Sequence, residues 1–268
     1  MKHSLRLGSA FGIGIFVHWT FALLPLWVVF ATLGNNGGIA AAIGGVVFIC
    51  AVFGCVVLHE LGHSLAARHY GIPTRSITLL PIGGVAALER MPTNPRQELV
   101  IAIAGPMVNV FIAGFLALVG YTFGLLNQIT GALNFAAFTT LSGLLNALLV
   151  TNIILVIFNM IPAFPMDGGR VFRALLSTKI GHLRATDIAA LVGKVLAVGI
   201  GVWGLFIAKS PFTAVLAAFV WLAGEQERRY AHAFNAHRNM MDGNEPIDVE
   251  VIPPDSPVGR RFVVKWPR

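Results

Sequence analysis

From Ile39 to Leu58 the chain is apolar and uncharged throughout, and the next five residues are His59-Glu60-Leu61-Gly62-His63. A helix rises 1.5 Å per residue, so a run of about twenty apolar residues crosses the roughly 30 Å hydrocarbon core of a bilayer. Lipid offers the backbone no hydrogen-bond partners, so such a run has to be helical. Two histidines and a glutamate at its end are costly there, by about 2–3 kcal/mol for each charged group. A cluster retained at that cost is expected to be functional.

On a helix, residues i and i+4 lie about 40° apart around the axis, so His59 and His63 can offer two imidazole nitrogens to one cation. Glu60 points about 100° away from His59 and can reach a water on that cation. Catalytic zinc takes three protein ligands and a water, so a third ligand is expected from elsewhere in the chain.

With 56% hydrophobic and only 12% charged residues among 268, the chain reads as an all-α polytopic membrane protein. Six transmembrane helices are expected near 13–33, 39–70, 99–123, 141–161, 188–208 and 211–224, with a small re-entrant or β-hairpin element between the second and third. This gives a membrane domain over residues 1–224 and a short soluble tail over 225–268. A net charge of +7 would suggest nucleic acid for a soluble protein, but here the basic residues sit between apolar runs, and no nucleic-acid partner is expected. Of the 19 lysines and arginines, all but Lys194 and Lys209 fall in the N-terminus, the second and fourth connections and the tail, counting Arg68 at the end of the second helix with the connection that follows it. Six crossings put those segments on one side, which by the positive-inside rule is cytoplasmic, together with both termini and the opening of the site. Cys50 and Cys55 share one apolar run and read as small hydrophobes rather than a disulfide.

The segment from Gly71 to Pro95 is too short and too mixed to cross. Ser76–Leu80 and Val85–Leu88 read as short strands around Pro81-Ile82-Gly83-Gly84, and an unpaired edge there can hold an extended peptide. Asn94-Pro95 with Glu98 reads as a helix start, and Asn109 as a hydrogen bond between helices. Asn159 to Arg170 is the second informative stretch. Pro162 and Pro165 end a helix and Gly168-Gly169 frees the backbone, so Asp167 can be held on an irregular turn, and it is the expected third ligand. The alternative is that Asp167 caps the helix that follows. His18 reads as packed or interfacial, Trp19 as an interfacial anchor, and His232 and His237 as solvent-exposed.

These residues together resemble the site-2 proteases, intramembrane zinc metalloproteases. His59-Glu60-Leu61-Gly62-His63 matches the first motif of that family, and Asn159, Pro162, Pro165, Asp167, Gly168 and Gly169 match the second. Gly83-Gly84-Val85 and Gly105-Pro106 with Asn109 also look like family features. The resemblance implies one zinc ion per chain on His59, His63 and Asp167, with Glu60 as the base and Asn159 positioning substrate backbone. Gly83, Gly84 and Val85 are the further candidates for substrate binding. It implies a transmembrane protein as substrate, cut within the lipid bilayer of the cell membrane, and leaves homo-oligomerisation open. Met166 stands where the family often has Leu, and the tail is too short for the paired CBS domains that many relatives carry. The rival functions are a metal-ion transporter and an inactive membrane scaffold. A transporter needs polar groups along a path, and away from the expected cytoplasmic end the apolar runs hold almost no ionisable residues.

Overall fold

The first apolar run begins as strands rather than as a membrane helix. In a computed structural model that describes residues 4–89, 92, 94–126, 135–241, 249–251 and 262–264, Ser4–Ala10 is strand β1 and Ile13–His18 is strand β2. Phe11 and Gly12 both take positive φ, 53° and 82°, the backbone of a tight two-residue hairpin. The expected helix from residue 13 fails for a local reason. Gly-Ile-Gly-Ile-Phe-Val combines glycine, poor in helices, with β-branched and aromatic residues that suit a pleated surface. A helix starts only after His18, whose ring nitrogen accepts from Thr20 N–H and caps a 3-10 turn, Trp19–Ala22, that leads into α1, Leu23–Gly34.

The chain forms two units, Met1–Ile161 and Pro162–Arg268. In the first, α2 (Ile39–His69) carries the histidine motif and is followed by β3 (Thr74–Leu80) and β4 (Gly83–Leu88). The strands form one sheet in the order β1-β2-β3-β4, with β2 and β3 parallel and the other pairs antiparallel. The expected hairpin is therefore present, enlarged by the N-terminal pair, and the all-α expectation is corrected to a helical protein with a small sheet. Leu61, inside the motif, is buried against Ile13 of β2 and Ile77 of β3, so the sheet packs directly on the motif-bearing turns of α2. Helix α3 (Pro95–Thr122) starts as expected, with Asn94 accepting from Arg96 N–H, Pro95 first and Glu98 in the first turn. Helix α4 is Leu141–Asn159.

The second unit contains α5 (Asp167–Ile180), α6 (His182–Phe206), α7 (Pro211–Met241) and the paired short strands β5 (Val249–Val251) and β6 (Phe262–Val264). Residues 242–248, 252–261 and 265–268 around these strands lie outside the described residues. Helix α7 runs unbroken across Gly224 and Glu225, where the tail was expected to begin. An ion pair and a hydrogen bond join it to α6: Glu225 meets Lys194 at 2.6 Å, and His232 Nε2 lies 2.9 Å from Asp187 Oδ1, so His232 is partnered rather than simply solvated. The side chain of His237 lies outside the described residues.

Among the described residues, four helices are long and apolar enough to cross a membrane, namely α2, α3, α4 and α6, and Trp19–Gly34 is a shorter apolar helix.

Candidate metal centre

Helix α2 approaches α3 closely because both carry glycine at the crossing. A Cβ on Gly62 would lie 2.8 Å from the Ala104 carbonyl oxygen, and a Cβ on Gly105 would lie 2.2 Å from His63 Nε2. The His63 imidazole therefore lies flat in the space that a side chain at 105 would fill. Its Nδ1 is 2.6 Å from the Ile101 carbonyl oxygen, an acceptor only, so Nδ1 carries the hydrogen and Nε2 the lone pair. Pro106 removes the N–H that would otherwise bond the Ala102 carbonyl, next to Ile101.

His59 is fixed in the same sense. Its Nδ1 lies 2.5 Å from Asn109 Oδ1, and Asn109 Nδ2 donates to Asn152 Oδ1 on α4 at 2.8 Å. Asn109 is thus the helix-to-helix hydrogen bond expected from the sequence, but one of its ends holds a metal-ligand-type histidine. Both imidazoles are buried, and their Nε2 atoms face each other at 3.1 Å. Two nitrogens bound tetrahedrally to zinc at about 2.05 Å stand about 3.3 Å apart, so the pair fits two corners of such a site. Two lone pairs at this separation repel unless a cation lies between them.

Glu60 is half-buried and lies against β4. A Cβ on Gly84 would be 2.7 Å from Glu60 Cγ, so the strand reaches the glutamate only because residue 84 has no side chain. Gly83 has φ +138°, a backbone conformation that glycine takes at little cost. Strand β4 pairs with β3 on one side, and among the described strands nothing pairs with its other edge; Val85 there is exposed. Glu60 and the Gly83-Gly84-Val85 edge are therefore neighbours.

Asn159 is the last residue of α4 and half-buried. In the second unit, Asp167 is the first residue of α5 and is buried. The N-cap of α5 is Met166 and no side chain caps the helix, so the capping alternative for Asp167 does not apply. The turn before it is held from several sides. Gly169 lets the helix start close over the chain, since a Cβ there would lie 2.7 Å from Ala163 C and 2.8 Å from Phe164 N. Phe164 is buried with Ala189 and Ala190 of α6, and the Arg173 guanidinium stands 5.0 Å over its ring while pairing with Glu227 of α7 at 2.6 Å.

Sequence reasoning missed Asn152, the Ile101 carbonyl and the role of Gly105. A buried asparagine in an apolar run was a usable signal for Asn152, whereas a backbone carbonyl carries none.

A chain of long apolar helices, with paired imidazoles and a carboxylate on one helix beside an open strand edge, has the build of a membrane-embedded metalloprotein. Residues 47–200 match the peptidase family M50, and the chain belongs to that family, as its resemblance to the site-2 proteases implied. It is 40% identical over 240 residues to a zinc metalloprotease of Methanocaldococcus jannaschii, covering 90% of this chain and 65% of the relative. It is 26% identical over 209 residues to stage IV sporulation protein FB of Bacillus subtilis, covering 77% of this chain and 65% of that protein. The chain thus spans just under two thirds of the length of these relatives. Among solved structures it is similar to the site-2 protease from Methanocaldococcus jannaschii, with a TM-score of 0.60 and 36% identity, covering 93% of this chain and 99% of that one.

Proposed function

We propose that the chain is an intramembrane zinc metalloendopeptidase that hydrolyses peptide bonds within or near the transmembrane segments of membrane-anchored proteins. In this reading His59, His63 and Asp167 together hold one Zn2+. All three are buried and each offers one ligand atom, which is the donor set of a catalytic site with a position left for solvent. The observation that carries the reading is the facing Nε2 pair, each ring held by an acceptor on its Nδ1.

Zinc, when bound, supplies a Lewis acid that brings water near neutrality within reach of ionisation. Glu60 takes the proton of the attacking water as its oxygen bonds to the scissile carbonyl carbon, and returns it to the leaving nitrogen as the C–N bond breaks. A substrate helix hides its carbonyls in its own hydrogen bonds and must unwind before attack. The β4 edge at Gly83, Gly84 and Val85 holds the unwound stretch by backbone pairing, next to the base, and Asn159 positions its backbone further along. Six crossings, with Trp19–Gly34 and the start of α7 as the fifth and sixth, put both termini and the water entry on the cytoplasmic side.

The test is Glu60→Gln in the full chain in detergent, against a membrane-anchored substrate and with zinc content measured. Cleavage should stop while one zinc per chain remains, and a chelator should stop cleavage by the parent until zinc is returned. Full cleavage by Glu60→Gln refutes Glu60 as the base, and a metal-free yet active parent refutes the class.

A further inference from the structure

The hydrogen bonds behind His59 have a direction, and it is set at the far end. The Leu148 carbonyl can only accept, so the Asn152 atom 2.8 Å from it is the amide nitrogen. That turns Asn152 Oδ1 towards Asn109, where it accepts from Asn109 Nδ2 at 2.8 Å. Asn109 must then present Oδ1 to His59, which requires hydrogen on His59 Nδ1 and leaves the lone pair on Nε2. Asn109 and Asn152 are fully buried, so bulk water does not compete for these bonds.

We propose that Asn152, seven residues before the motif asparagine Asn159 and on a different helix from either histidine, is a positioning residue: by orienting the Asn109 amide it locks His59 in its metal-binding tautomer. Without an acceptor at 152, the present orientation of Asn109 buries an N–H with no partner. The flipped amide avoids that by donating to His59 Nδ1, which moves the ring hydrogen to Nε2, where it blocks coordination. The expected effect is a loss of zinc affinity of about 10- to 100-fold. The inference rests on the metal-centre reading above.

The mechanism makes a prediction that simple packing does not. An aspartate at 109 has two equivalent oxygens, so its orientation no longer matters, and in the parent background one of those oxygens faces Asn152 Oδ1, which is an acceptor too. Asn109→Asp is therefore expected to weaken binding alone and to restore it when combined with Asn152→Leu, a substitution that keeps the branching at Cγ and admits no water.

The experiment measures zinc affinity by chelator competition on the full chain in detergent, with thermal unfolding as the folding control. The variants are Asn152→Leu, Asn109→Asp and the double. Weakening by Asn152→Leu with recovery in the double supports the inference. Parent-like binding by Asn152→Leu, or a double no better than Asn152→Leu, overturns it. If Asn152→Leu does not fold, Asn152→Val, equally without donor or acceptor, replaces it in the single and the double variant and is read by the same two outcomes. A parent that binds no zinc at all removes the metal-centre reading itself, a result distinct from either.

Discussion

Gly105→Ala tests the metal site through a residue that has no chemistry of its own. The added Cβ would stand 2.2 Å from His63 Nε2, 2.5 Å from Cε1 and 2.7 Å from Cδ2. Non-bonded carbon atoms settle at about 3.5–4.0 Å, so the ring must withdraw by more than about 1 Å. It cannot do so freely, because Nδ1 is tied to the Ile101 carbonyl on the same helix that carries the new methyl group. If instead α2 and α3 part by that amount, the Gly62–Ala104 approach opens as well. A zinc site tolerates about 0.2 Å in its ligand distances, so either response removes His63 as a ligand. Zinc affinity is expected to fall at least 100-fold, equivalent to about 2.7 kcal/mol, on top of an overpacking cost of about 1–3 kcal/mol in stability. The control is Gly114→Ala on the same helix, where a Cβ meets nothing within 4 Å. It should leave zinc unchanged and raise stability slightly, by up to about 1 kcal/mol. Zinc titration and thermal unfolding of both variants in one detergent give the comparison. Parent-like zinc affinity in Gly105→Ala would refute the placement of the His63 ring at the metal.

Gly84→Ala pushes on Glu60 Cγ without touching a histidine, so turnover is expected to drop about 10- to 100-fold while zinc content stays at the parent's level; loss of zinc would contradict the separation of base and ligands. Glu225 has its carboxyl held down to about 2, first by hydrogen bonding from Arg228 and then by Lys194, with desolvation opposing. A depressed carboxyl contributes stability above its unfolded value near 4.5 and loses it as pH falls towards about 2. Acid unfolding monitored over that window should therefore be shallower in Glu225→Gln by about 1–2 kcal/mol, allowing for screening by water, and an unchanged acid limb would remove the Glu225 cluster from the account of α6–α7 packing.

The helices were legible where one rule dominated. Uninterrupted apolar runs gave α2, α3 and α4, and Asn94-Pro95 with Glu98 gave the start of α3 at the right residue. The segment from Ile13 to His18 was apolar enough to pass for membrane helix; its glycines and β-branched residues favour a strand, but its pairing with β3, sixty residues away, is something composition over a window cannot see. The motif histidines were legible because i and i+4 are fixed by helix geometry alone. Their tautomers were not, since these depend on a carbonyl of α3 and on two asparagines from different helices, contacts that no local pattern encodes. Asp167 was legible as a constrained carboxylate from its flanking prolines and glycines, but the Arg173–Phe164 and Arg173–Glu227 contacts that brace its turn were not.

The same hydrogen bonds bear on the choice between hydrolase and cation carrier. A carrier has to release its ion along a series of alternative polar sites, each ready to accept it. In the first unit the polar groups around the histidines do not form such a series. Asn109 Oδ1 is taken by His59, Asn152 Oδ1 by Asn109, and the Ile101 carbonyl by His63, so each of these three oxygens already accepts from a neighbour. Handing the cation to any of them would break the bond that gives His59 or His63 its Nε2 lone pair. In the proposed reading, surroundings that hold both imidazoles in one protonation state retain the metal rather than pass it on, and retention with Glu60 alongside is what hydrolysis would require.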